Sequence, residues 1–116
     1  MKTFLAIYLG SAAAMDAWRA MDEEQRKPKE AAGVKAWHAW VQANANAIVA
    51  MGGPLGKTKR VSKKGVADVR NEMGAYTVVQ AESHEAAAKL FEDHPHFTIF
   101  PGDAIEVMEC LPIPGV

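Results

Sequence analysis

Proton transfer near neutral pH is a task for histidine, and the chain has four of them, with His38 the best placed. His38 lies between Trp37 and Trp40 in a long segment of helical character. Val34, Trp37, Val41, Ile48 and Met51 recur at helical spacing and form one apolar stripe. At about 100° per residue, His38 falls roughly 90° from the centre of that stripe. A histidine at such a border can line a cleft and act as a general base. It can equally be an edge-packed residue beside Trp37. Trp37 lies on the stripe and suits the core. Trp40 lies off it on the other side, where it would serve the extra early helix. Either indole could also stack on a flat ligand.

A second group is His94-Pro95-His96. Two imidazoles near Asp93 or Asp103 could begin a metal site, but a stable site needs three or four ligands. Pro95 also suits a stiff connection after a helix, and a protonated His94 would favour a helix C-terminus. His96, just before the last strand, is a candidate pocket residue. Tyr8 and Tyr76 could each supply a hydroxyl from a strand, or lie at an interface. Lys57, Lys59, Arg60, Lys63 and Lys64 fall within eight residues without an acid. They could hold an anion, or simply guard a strand edge. No GxGxxG, P-loop, GxSxG or paired-cysteine motif is present. The only cysteine, Cys110, has Glu109 beside it, which does not activate a thiol. The residues point to no metal and no cofactor.

The elements that must position these groups alternate. Residues 2–9 form a strand ended by Gly10. Ser11 caps a short helix over 12–20, and Asp22 with Gln25 starts another. Pro28 is expected to bend or break it. The main helix is expected over 29–51, stopped by Gly52-Gly53-Pro54. Strands follow over 55–63 and 66–70, with a turn at Lys64-Gly65, and then over 75–82. Ser83 caps a helix over 84–92, and the last strand covers 104–110. The order is β, α, β, β, α, β with an extra early helix. That is the ferredoxin-like α+β pattern. Strands 2–9 and 75–82 are apolar on both faces, so the face away from the helices needs a cover. A homodimer joined through the sheet would supply it.

With 116 residues, 49% hydrophobic and 23% charged, the chain fits one globular domain over 1–116. The formal charge is −1, and outside the basic cluster eight basic residues face fourteen acidic ones. A nucleic-acid partner is therefore not expected, and the cluster lacks interleaved aromatics. No apolar run suits a membrane span. Met1–Ala14 has some features of a secretory leader, but Tyr8 and the short apolar stretch favour a first strand. One unpaired cysteine agrees with a cytoplasmic location.

Four segments resemble the YCII-related family: MKTFLAIYLG, GGPLGKTKRVS, GAYTVVQAESHEAAAKLFEDHPHF and AIEVMECLPI. The resemblance implies a dimeric α+β barrel and a homodimer. The family is mostly uncharacterised. Some relatives are enzymes using a histidine on the first long helix with an aspartate just after a Gly-Pro, one of them a dehydrochlorinase. The resemblance places His38 at the catalytic histidine and Gly53-Pro54 at the Gly-Pro; Gly53 and Pro54 join Tyr8, Trp37, Trp40 and His96 as candidate ligand-binding residues. Leu55-Gly56-Lys57 stands where the aspartate is expected, and the family's Asp-Gly-Pro-Phe motif is absent. Asp68 and Asp103 are the nearest substitute acids. The implied function is small-molecule lyase or isomerase chemistry by proton transfer. The alternative is a non-catalytic binding or accessory module on the same fold.

Overall fold

A computed structural model describes residues 1–115. Strand β1 is Lys2–Leu9, followed by helices α1, Ala12–Ala20, and α2, Glu23–Ala43. Next come strands β2, Ile48–Pro54, β3, Thr58–Ser62, β4, Gly65–Val69, and β5, Met73–Ala81. Helices α3, His84–Lys89, and α4, Pro95–Thr98, precede strand β6, Ala104–Glu109. The main sheet is antiparallel in the order β2-β5-β1-β6, and β3-β4 is a separate hairpin. This is the double split βαβ arrangement, with a hairpin inserted between its second and third strands.

Local chemistry sets most boundaries. Ser11 Oγ accepts the Ala14 N–H, and Ser83 Oγ accepts the Ala86 N–H, so both helices start on serine caps. Asp22 caps α2 through the Glu24 N–H. Pro28 does not break α2. Its missing N–H would have bonded the Glu24 carbonyl, and both residues are exposed, so water can serve that carbonyl.

The main helix differs from the expected 29–51. It starts at Glu23 and ends at Asn44, whose N–H and side-chain Nδ2 both bond the Trp40 carbonyl. Ile48 and Met51 continue the helical spacing only by coincidence; they belong to β2. Gly52-Gly53-Pro54 therefore does not stop a helix. It lies in a strand with irregular register, where Gly52 takes φ +66° and a Cβ would collide with the Tyr76 carbonyl. That conformation and that proximity both require glycine. The second strand of the sheet is thus 48–54, and the expected 55–63 strand is shortened to one arm of the hairpin.

Alternate residues of β1 and β5 build the core. Phe4, Ala6, Tyr8, Val79, Ala81, Ala87 and Phe91 form the buried cluster, with Trp37 and Trp40 against it. On the opposite face Leu5 and Ile7 pair with Val78 and Tyr76, and Leu5 also pairs with Met108. This apolar face has no helix over it, and Met108 is exposed. The fold measures only 18 Å along its shortest axis, one helix layer on one sheet.

Candidate functional site

Tyr8 emerges from near the C-terminal end of β1 into the interface between sheet and helices. It is fully buried, and its hydroxyl lies 2.9 Å from Thr77 Oγ1 on β5. Thr77 Oγ1 spends its one proton on the Met51 carbonyl at 3.1 Å. Tyr8 must therefore be the donor to Thr77. Burial pushes the phenol up to about 12, against the opposing Thr77 bond, so Tyr8 stays protonated. Trp37 lies flat on the phenol ring, with centroids 5.1 Å apart and planes 19° apart.

His94 completes this layer. Its ring stands edge-on to Trp37 at 4.5 Å, Trp40 at 4.6 Å and Tyr8 at 5.1 Å. It is fully buried. Nδ1 accepts the His96 N–H at 3.0 Å and caps α4, so the neutral ring carries its proton on Nε2. Nε2 has no conventional partner among the described residues. Burial, with a smaller push from His96, lowers the His94 pKa to about 4. The sequence expectation of a protonated His94 at a helix C-terminus is therefore corrected: it is a neutral N-cap inside an aromatic cage.

His96 has a different setting. Its Nε2 is 2.7 Å from the Leu9 carbonyl, which can only accept, so Nε2 carries the proton and Nδ1 keeps a lone pair. Burial lowers its pKa, opposed by the Leu9 and Ala104 backbone and by the Asp103 charge. Asp103 is held by the Ser11 N–H at 2.7 Å. Gly102 makes room for the imidazole, since a Cβ there would collide with the ring. No group of three His, Cys, Asp or Glu side chains suited to a metal ion occurs among the described residues.

A cleft of about 1220 Å³ opens beside this layer. Helices α1 and α2 form one wall through Met15, Trp18, Trp37 and His38. The other wall is the end of β2, the hairpin and the start of β5, including Gly53, Pro54 and Asp68. His96 and Phe100 lie along it from the α4 side. Trp18 meets Phe100 edge-to-face at 5.8 Å, which gives the cleft an aromatic corner.

Of the residues singled out from the sequence, His38, Asp68, Trp37, Gly53, Pro54 and His96 meet on this one cleft. Tyr8 lies behind Trp37, and Asp103 supports the His96 segment. Trp40 faces away from the cleft: its Nε1 donates to the Leu90 carbonyl at 2.8 Å and its ring packs on Phe91. It serves α3, not the early helix.

His38 is exposed and makes no side-chain hydrogen bond to Asp68 or Asp103 among the described residues. The reason is the helix phase. The inner face of α2 runs through Gly33, Trp37 and Trp40, whereas Val34 is 48% exposed. Relative to that face His38 points about 130° away at 100° per residue. It also borders a shallower groove along α2, of about 900 Å³, with Val34, Lys35 and Gln42.

The strand order and the helices on one sheet face define a ferredoxin-like α+β fold. Among solved structures it is similar to TftG, the 5-chloro-2-hydroxyhydroquinone dehydrochlorinase of Burkholderia phenoliruptrix AC1100, in complex with 2,5-dihydroxybenzoquinone. The TM-score is 0.51 and the identity 20%, over 90% of this chain and 89% of that chain. No family model and no curated protein matches the sequence. No helix among the described residues is long and apolar enough to cross a membrane.

Proposed function

We propose that the chain is a single YCII-related domain over 1–116 that acts on a small aromatic or carbonyl compound in the cleft by proton transfer. One observation carries this reading: a cleft walled by Trp18, Trp37 and Phe100 also contains a neutral histidine, His96, whose Nε2–H is anchored on the Leu9 carbonyl and whose Nδ1 carries the lone pair. Nδ1 of His96 takes a proton from the ligand. The Leu9 carbonyl, bonded to Nε2–H, stabilises the imidazolium that forms. Returning that proton elsewhere on the ligand gives an isomerase; delivering it to a leaving group gives a lyase. His38 stands at the rim as a second proton carrier. The likeness in fold to a dehydrochlorinase supports a small-molecule substrate. In this reading the protein is cytoplasmic, needs no cofactor, and forms a homodimer. The uncovered sheet face of Leu5, Ile7, Tyr76, Val78 and Met108 is the surface for the second copy. Light scattering should give twice the 12.6 kDa chain mass.

The alternative is a binding or accessory module in the same cleft. It is favoured by one feature: among the described residues His38 has no acidic hydrogen-bond partner. Exchange into deuterated water separates the two. Hydroquinones and 2,5-dihydroxybenzoquinone should quench the cleft tryptophans. Proton NMR should then show protein-dependent exchange of a carbon-bound hydrogen, lost in His96→Gln with binding retained. Quenching without exchange would establish the binding module and sink the enzyme reading.

A further inference from the structure

The cleft mouth carries an arrangement that the aromatic walls do not explain. Arg19, at the end of α1, and Arg70, just past β4, both line the cleft. They converge on the same oxygen, Asp16 Oδ1, at 3.9 Å and 3.2 Å. One carboxylate thus faces two guanidinium groups contributed by opposite walls. Its single charge neutralises only one of them, and Glu72, which also lines the cleft, pairs with neither among the described residues. Nearby, Lys59 is already matched by Asp68 at 2.6 Å, whereas Lys57 lines the cleft without an ion pair among the described residues. Asp16 itself shows that a carboxylate can bridge the two arginines.

We propose that Arg19 and Arg70 form an anion clamp that selects planar aromatic ligands bearing a carboxylate, with the ring laid against the aromatic wall of Trp18, Trp37 and Phe100. This rests on the cleft being a small-molecule site, and it names the ligand class. Asp16 is the clamp's internal competitor. It holds the two walls together when no ligand is bound and yields one arginine to the incoming anion. A planar carboxylate can take two parallel N–H donors from a guanidinium, a geometry that a lysine cannot offer.

Tryptophan quenching by two probes tests this. The probes are 2,5-dihydroxybenzoate and hydroquinone, which differ by one carboxylate. The carboxylate should bind about tenfold more tightly at low salt, as expected for one charge-assisted contact. The double variant Arg19→Gln, Arg70→Gln should lose that preference while binding hydroquinone as before. Asp16→Asn should strengthen the carboxylate's binding and leave hydroquinone unchanged. Thermal unfolding of each variant checks that the fold is intact. If hydroquinone binds as tightly as the carboxylate, or the preference survives in the double variant, the clamp is wrong and the cleft stands. If neither probe quenches, the cleft as an aromatic-ligand site fails with it.

Discussion

Two histidines only two residues apart occupy opposite kinds of environment. His94 is sealed among Tyr8, Trp37 and Trp40, its Nδ1 committed to a backbone cap and its Nε2 without a conventional partner. His96 lines the cleft, with Nε2 anchored to the Leu9 carbonyl and Nδ1 keeping its lone pair. His94 is therefore structural, and His96 is the one our proposal assigns to the chemistry, although the sequence presents them as a pair. The lesson extends to the two sides of Trp37. Behind it lies a layer of aromatic rings whose polar atoms, His94 Nε2 apart, are paired within the fold; in front lies a cleft whose charges are only partly matched.

The comparison breaks most readily at Trp37 itself. Trp37→Ala removes the ring that separates the two regions and should cost about 3 kcal/mol in a urea titration, as for other large aromatic truncations. An unchanged midpoint would mean that the indole is not part of the sealed layer. Acid probes His94 next. Its folded pKa lies near 4, below the 6.5 of an unfolded histidine. The neutral ring is favoured on folding, so this stability is present above pH 6.5 and drains as pH falls towards 4. The contribution is roughly 3 kcal/mol at 1.36 kcal/mol per pKa unit. Urea midpoints of wild type and His94→Gln should therefore differ in slope between pH 6.5 and 4, with the wild type steeper. Parallel curves would place His94 in contact with water.

Tyr8→Phe is a finer cut. It deletes the donor to Thr77 and leaves a buried hydroxyl oxygen with one bond fewer. A loss of about 1 kcal/mol is expected from chemical unfolding. A neutral result would show that the Thr77–Met51 bond suffices alone. The smallest effect belongs to the open side. His38→Ala should change stability by less than about 0.5 kcal/mol, as for an exposed residue without partners. A larger loss would show that the rim is packed and not merely solvated.

Much of the scaffold was legible. Serine caps at Ser11 and Ser83 and the aspartate cap at Asp22 are local chemistry, read from adjacent residues. The alternating strands 2–9 and 75–82 were legible for the same reason. The second strand was not. Ile48 and Met51 prolong a helical spacing, and only the pairing of β2 with β5 overrides it. The phase of α2 was misjudged because Gly33 carries no apolar signal. Its value lies in the ring of Phe100, which occupies the space a Cβ would need. The clamp residues Arg19, Asp16 and Arg70 were invisible as a group, since Arg70 lies far from the other two in the chain.

What the sequence determined by itself is the two central strands of the sheet, the helix caps and the two apolar faces of the sheet, because these depend on neighbours within a few residues. The tertiary structure decided which histidine is sealed and which lines the cleft. It also decided which side of α2 faces inward, and where opposite charges meet. Burial and distance across the fold set those properties, and contacts such as Tyr8 with Thr77 join residues 69 positions apart.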